Sequence, residues 1–363
     1  MSSVSAALVI GAIAANQRWL DRHFLPSFFL PRPWYVAIET IVRVFMGALG
    51  VWLALITRPR VGRLAARSPM LVVSVVVAAA LAPFASELAL RGSKLRATEW
   101  LVHDEEPRRQ PDARLGWTFL PGRTGQNSIG GRVLDYTFDA AGYRVRDASE
   151  PVDFDRPTIL FTGESVMFGE GLTWEESVPA QVAARLHTQS ANLAVHGYGS
   201  DQAYLRLAQE LPRFRQPVAV VSLFMTALFG RNLDRDRPHL GPGLAWLPAE
   251  PRSRLVSIAE LAVPYRSDDT VERGIAVTRE VFRATADLAR ARGAVPLVVI
   301  PLFGREEWPE ETIRRRIFGD DIVHYALVGI DDGWRLAWDR HPNAEAARAI
   351  AAAIVAALDA PPR

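Results

Sequence analysis

Ile159–Leu172 reads ILFTGESVMFGEGL, and the fold of the chain turns on how this stretch is parsed. Thr158–Phe161 suit a buried strand, Pro157 and Gly163 bound it, and a helix is expected over Glu175–Leu186 after a Gly-punctuated turn. A serine at the tip of such a strand–turn–helix is expected to be exposed, its hydroxyl near free backbone N–H groups. A nucleophile needs both. The spacing is Gly163-x-Ser165-x-x-x-Gly169, which departs from the Gly-x-Ser-x-Gly of a nucleophile elbow. On the turn alone, a serine in this place is more often a cap or turn residue.

A second stretch changes that balance. Trp338–Asn343 reads WDRHPN and places Asp339 two positions before His341, ahead of a final helix. A serine nucleophile, a histidine base and an aspartate to orient it are the three parts of an acyl-transfer site. His341 alone would be a loop histidine; beside Asp339, and with Ser165 present, it is the candidate base.

With these two blocks the chain resembles the SGNH/GDSL hydrolases. The family's first block matches Gly163-Glu164-Ser165 and its last matches Asp339-Arg340-His341. Asn192-Leu-Ala-Val-His-Gly197-Tyr-Gly199 is similar to its second block, whose glycine N–H helps hold an oxyanion. The resemblance covers roughly 157–358. It implies Ser165 as nucleophile, His341 as base, Asp339 as its orienter, and the N–H groups of Ser165 and Gly197 as oxyanion donors. The family's third block puts an asparagine directly after the central strand. Here that strand ends in Met225-Thr226-Ala227, and the nearest asparagine is Asn232. Either Asn232 is brought in by a bulged loop, or a donor such as Thr226 replaces it.

Periodicity supplies the rest of the domain. Ala191–Val195, Pro217–Met225, Ala294–Leu302 and His324–Val328 read as strands, the second a continuous apolar run. Asp201–Leu211, Val271–Arg292, Glu310–Ile317 and Asn343–Leu358 read as helices. Alternation of this kind specifies an α/β, doubly wound parallel sheet. The resemblance narrows it to the flavodoxin-like SGNH hydrolase fold, with ligands at the C-terminal ends of the strands.

The 363 residues leave room for more than that domain. Trp34–Ile56 and Pro69–Leu90 are each about 22 residues long and apolar all round, the length and pattern of transmembrane helices. Ser5–Asn16 is a further apolar stretch, a third short span or an interfacial helix. Glu39 and Arg43, one helical turn apart, are expected to pair. Arg58, Arg60, Arg63 and Arg67 lie between the two spans with no acid among them, which marks that loop as cytoplasmic and puts the rest of the chain outside. The expected division is 1–91 as membrane anchor, 92–156 as linker and β-hairpin ornament, and 157–363 as the SGNH hydrolase-like domain. In the ornament, Trp117–Leu120, Val133–Phe138 and Tyr143–Val145 read as short strands, with a turn at Gly142.

Composition excludes several classes. A formal charge of +2 is too small to argue for nucleic acid. Without cysteine there is neither a disulfide nor a thiolate metal site. No His/Asp/Glu triplet has metal-ligand spacing and no Gly-rich run carries a lysine, so no cofactor is expected. His103, His187 and His239 read as incidental, His196 less so beside Gly197. The resulting expectation is a serine esterase in the bacterial cytoplasmic membrane. Its catalytic domain would lie on the periplasmic or extracellular side. The resemblance implies O-acyl (acetyl) groups of envelope or extracellular glycans as substrate, and partners in an envelope polysaccharide system. An O-acyltransferase on the same glycans, and a non-catalytic glycan-binding or assembly subunit, are the alternatives.

Overall fold

The computed structural model describes residues 2–25, 31–92, 105–262, 265–319, 323–337 and 339–359. Trp338, His103 and the start of the expected linker lie outside them. The chain divides into two compact units, Met1–Glu99 with Pro251–Asp268, and Trp100–Glu250 with Asp269–Arg363.

The larger unit is built on one mixed sheet. Its strands are β1 (Thr124–Ile129), β2 (Arg132–Phe138), β3 (Arg144–Val145), β4 (Thr158–Thr162), β5 (Gln189–Asn192), β6 (Pro217–Leu223), β7 (Val295–Phe303) and β8 (Tyr325–Ile330). They lie in the order β8-β7-β6-β4-β5-β3-β2-β1. From β8 to β5 every pair is parallel. Numbered along the chain, those five strands follow the order 2-1-3-4-5, the flavodoxin-like doubly wound arrangement. The expected fold class is therefore the observed one.

Helices complete the layers: α1 (Ser165–Phe168), α2 (Val178–Leu186), α3 (Ser200–Glu210), α4 (Asp268–Ala291), α5 (Trp308–Phe318) and α6 (Ala344–Asp359). On one face, Leu160, Ala191 and Val220 pack with Leu207 of α3, Ala289 of α4 and Phe214. Successive strand residues point to opposite faces, so Ile159 and Phe161, both buried, turn to the other side. There α2 and α6 pack together.

The segment expected as linker and ornament joins the main sheet. β1, β2 and β3 extend the same sheet through antiparallel pairs, β3 pairing with β5 at Arg144 and Asn192. A separate hairpin pairs Arg109–Asp112 with Gly116–Phe119. Trp117, Phe119, Tyr136, Phe138 and Tyr143 are all at most 2% exposed, an apolar burial no solvated linker would show. The turn before β3 has Gly142 at φ +80°, with Asp139 accepting from the N–H groups of Ala141 and Tyr143.

In the smaller unit, Arg32–Ile56 and Pro69–Gly92 are long and apolar enough to cross a membrane. Large side chains such as Ile41, Phe45, Val76, Leu81 and Phe84 stay exposed on them. The helix Ser2–Ala14 packs against Arg32–Trp52 through small residues: a Cβ added at Gly50 would meet Val9 at 2.8 Å and the Ser5 carbonyl at 2.9 Å. Close approach at glycine is how helices associate where lipid removes the hydrophobic driving force. That packing breaks the expected Glu39–Arg43 pair. Glu39 instead accepts from Gln17 at 2.9 Å, and Arg43 donates to the Ala12 carbonyl at 3.1 Å. A further helix, Arg254–Ala262, belongs to this unit, and Glu87 accepts from Ser253 and from the N–H groups of Arg254 and Leu255 at its start.

Candidate active site

The turn that carries Ser165, the expected nucleophile, follows β4 at the point where the strand order reverses, between β4 and β6. Gly163 has φ +147°, and a Cβ there would meet Leu223 and Met167 at 3.1 and 3.3 Å. The chain can make this turn only with glycine. The helix α1 that begins at Ser165 is a single turn, ended by Gly169 in the left-handed conformation. This gives the Gly163-x-Ser165-x-x-x-Gly169 spacing a physical meaning, since the second glycine is the C-cap of a one-turn helix.

Ser165 Oγ lies 2.9 Å from His341 Nε2, and Asp339 Oδ1 is hydrogen-bonded to His341 Nδ1. Three residues 176 positions apart at their extremes thus converge. The loop that carries the last two is tied back on itself: Leu336 N–H donates to the His341 carbonyl at 2.7 Å, and Asn343 N–H to that of Trp334 at 3.1 Å. Arg340 adopts φ +70°, a turn that lets Asp339 Oδ1 also accept from His341 N–H at 3.2 Å. Asn343 Oδ1 then caps α6 through the N–H groups of Glu345 and Ala346.

Ser165 is not the exposed residue that its turn suggested; it is 5% exposed. Two side chains close on it. One is His341, and the other is Glu164, whose Oε2 accepts from Ser165 Oγ at 2.6 Å. Arg231 Nη1 donates to that same carboxylate oxygen at 2.9 Å. A hydroxyl has one proton. While Glu164 holds it, His341 Nε2 must act as donor to Ser165 Oγ, so the ring carries both protons.

The electrostatics agree with that state. Burial pulls the His341 imidazolium down, but the Asp339 hydrogen bond and the charges of Glu170, Asp339 and Glu164 outweigh it, holding the group above the usual 6.5. Burial raises Asp339, and its bond and charge interaction with His341 more than reverse this, leaving it below the usual carboxylate range. Glu170 is fully buried against His196. Burial pushes its carboxyl up, and the contact with the His196 ring brings it below its ordinary value.

The glycine block is held from both sides. Val195 N–H reaches the Gly163 carbonyl at 3.2 Å, joining this loop to the nucleophile turn. Trp117 Nε1 donates to the His196 carbonyl at 3.0 Å, and Tyr198 Oη to that of Trp117 at 2.6 Å. Arg237, 2% exposed, donates to the Gly197 carbonyl at 2.5 Å and also to the Arg231 carbonyl. Gly197 sits at φ +74°, and no described residue accepts from its N–H or from that of Ser165.

Asn232 does not take the place expected of it. Its amide nitrogen donates to Ser200 Oγ at 3.1 Å and Thr278 Oγ1 at 3.0 Å, while its oxygen accepts from Ser200 N–H at 2.8 Å. Both amide protons are engaged, so none is left for a ligand. It ties the start of α3 to α4. Thr226, the other candidate, is 2% exposed with its hydroxyl unpartnered among the described residues. Sequence reading gives no role at the site to Glu164, Arg231, Glu170 or Arg144. Arg144 stands out there only in a Gly-aromatic-Arg motif, and Arg231 only as a neighbour that could pin Asn232. The signals that could have found them were the place of Glu164 beside Ser165 and the Gly142-Tyr143-Arg144 motif.

Arg144 acts on the turn from behind. It is 1% exposed and donates to the carbonyls of Phe168, Gly169 and Leu172 at 2.8, 2.9 and 2.6 Å. Its guanidinium lies 4.7 Å from the Tyr136 ring centre and 4.9 Å from that of Phe168. Tyr136 Oη accepts from Gly171 N–H at 2.9 Å. The strands before β4 therefore hold the C-terminal side of the nucleophile turn.

No family profile matches the chain, and no curated protein does. Among solved structures it is similar to an acetyl xylan esterase from Butyrivibrio proteoclasticus, at 11% identity and a TM-score of 0.36, over 58% of this chain and 65% of that one. A putative lipolytic protein of the G-D-S-L family from Desulfitobacterium hafniense aligns at 12% identity and TM-score 0.35, over 55% of this chain and 98% of its own. A putative arylesterase from Agrobacterium tumefaciens follows at 15% and 0.33, over 56% and 98%. At these values the fold assignment rests on the strand order, and the chemistry on the side-chain geometry above.

Proposed function

We propose that the protein is a membrane-anchored serine esterase that transfers acyl groups through Ser165. The observation that carries this is the 2.9 Å approach of His341 Nε2 to Ser165 Oγ with Asp339 on Nδ1. In the neutral form of His341 the Ser165 proton passes to Nε2 as Oγ bonds to the ester carbonyl carbon, and the carbonyl π pair moves onto oxygen. The adduct collapses when His341 returns that proton to the leaving alcohol oxygen as the C–O bond breaks. Water then repeats the sequence on the acyl-enzyme. The N–H groups of Ser165 and Gly197 receive the oxyanion, each donor worth about 3 kcal/mol in comparable sites. The sugar-borne ester as substrate comes from the resemblance of the sequence blocks. Release of acetate from p-nitrophenyl acetate and from acetylated glycans by the purified chain is the test. No release from either, with Ser165 unlabelled by a fluorophosphonate, would reject the reading. If acetate moves to a sugar hydroxyl in preference to water, the same acyl-enzyme serves a transferase.

His341 sets the pH response. As general base it must be neutral, and its pKa is held above 6.5 by the carboxylates around it. The expected kcat/KM rises with pH along a limb centred above 6.5 and falls away on the acid side. A limb centred below that value would mean that His341 is not the base.

The outside placement of the catalytic domain is supported by the four arginines of Arg58–Arg67, a segment whose sequence carries no acid. A reporter active only outside the cytoplasm should work when fused after Arg91 or at Arg363, and fail at Arg63. The reverse pattern would place the esterase inside the cell.

A further inference from the structure

We infer that Arg231 is the side-chain oxyanion donor of this site, resting on Glu164 until the ester arrives. The inference depends on the serine-esterase reading and deepens it.

Place comes first. Arg231 stands in the 3-10 turn Thr226–Leu233 that follows β6, at the reversal of strand order where ligands of doubly wound sheets bind. This is the loop in which a third donor was expected, one residue before Asn232. Asn232 is unable to serve, because Ser200 and Thr278 take both its amide protons. Thr226 is enclosed.

Reach comes second. Arg231 Nη1 is 2.9 Å from Glu164 Oε2, which is 2.6 Å from Ser165 Oγ, so Nη1 lies no more than about 5.5 Å from the nucleophile. An oxyanion forms two covalent bonds from Oγ, and a donor needs to approach it to about 2.7–3.1 Å. A single side-chain rotation closes that gap. The guanidinium has five donors in a planar fork, and Glu164 is the one described partner of its side chain. The side chain is 16% exposed, so it remains open to a ligand where Thr226 is not.

The third observation concerns the backbone. Arg237, itself buried, donates to the carbonyls of both Gly197 and Arg231. One guanidinium thus holds the loop of the proposed backbone donor and the loop of the proposed side-chain donor at a fixed spacing. Preorganised donors of this kind are what oxyanion stabilisation requires.

Glu164 completes the device. In the resting site one of its oxygens accepts from Ser165 and from Arg231. In that resting state His341 carries both ring protons. Once its Nε2 proton is lost to solvent, the Ser165 hydroxyl turns from Glu164 to Nε2. As the Ser165 proton moves there and Oγ joins the carbonyl carbon, the Glu164 oxygen is left without the Ser165 donor. Negative charge appears on the former carbonyl oxygen, and the guanidinium turns towards it. No proton leaves Arg231, and when the adduct collapses it returns to Glu164.

The test uses the full-length chain in detergent micelles with p-nitrophenyl acetate. Arg231→Ala should lower kcat by about 10²–10³ with KM changed less than about threefold. Added guanidinium ion should restore at least about tenfold of that loss, and should restore nothing in Ser165→Ala. Arg231→Lys, which keeps the charge without the fork, should fall between. Asn232→Ala should keep kcat while lowering the melting temperature. Arg231→Ala with kcat within about threefold of wild type, or a loss that guanidinium leaves untouched, would overturn the assignment. If instead the wild-type chain hydrolyses no ester and its Ser165 resists a fluorophosphonate, the esterase reading fails, and Arg231 with it.

Discussion

Replacing Ser165 with alanine is expected to lower ester turnover by about 10⁴–10⁶, down to what the oxyanion donors and binding alone supply. The size follows from the geometry. His341 Nε2 has Ser165 Oγ as its partner at 2.9 Å, and Asp339 is committed to the opposite ring nitrogen. Without the hydroxyl no acyl-enzyme forms, and the imidazole has nothing to deprotonate except water. The same substitution should cost folding only about 1–3 kcal/mol, since it removes one buried hydroxyl with its bonds to Glu164 and His341. Burst kinetics with p-nitrophenyl acetate and covalent labelling of the wild type by a fluorophosphonate read the two halves separately. Turnover in Ser165→Ala within about tenfold of wild type would mean that another group attacks the ester.

Arg144→Met is expected to produce the largest loss of stability, about 3–5 kcal/mol, through groups the substitution does not itself remove. Burial pulls the Arg144 guanidinium down to about 10, with Tyr136, Glu170, Glu175 and Glu176 opposing the shift, so it stays charged at neutral pH. Three carbonyls at the end of the nucleophile turn accept from it. Methionine fills much of the volume but removes three charge-assisted bonds. It leaves the Leu172 carbonyl without a described donor, the Phe168 carbonyl with only Asn192 Nδ2 and the Gly169 carbonyl with only Leu172 N–H. Each orphaned acceptor costs about 1–3 kcal/mol. Because the same carbonyls end α1, the protein that remains folded should also show a lower kcat. Urea denaturation of the variant gives the first quantity and ester assays below the transition give the second. A variant as stable as wild type would show that water and the remaining donors replace the guanidinium, and that the strands before β4 are dispensable for the turn.

Both results bear on how far the sequence could be read. The five parallel strands were legible because each is a short apolar run bounded by polar or turn residues, and burial on both faces permits little else. Ser165, Asp339 and His341 were legible because acyl transfer needs those three side chains, and their local blocks constrain the backbone around them. Gly163 and Gly169 belong with them, since positive φ is written in the residue type.

What stayed hidden depends on long-range contacts. Whether β1–β3 join the main sheet is decided by the pairing of Arg144 with Asn192, a contact that leaves no periodic trace. Asn232 had the residue type of a donor, and only packing against Ser200 and Thr278 showed that its amide is spent. Glu39 and Arg43 had the spacing of an ion pair, but a neighbouring helix offered closer partners. The sequence by itself determined the layered α/β architecture and the apolar spans, and it named the three side chains of the proposed triad, because local pattern and chemistry constrain these strongly. The tertiary structure alone decided which polar groups are already satisfied and which remain open to a substrate, since satisfaction is a property of neighbours brought together from distant parts of the chain.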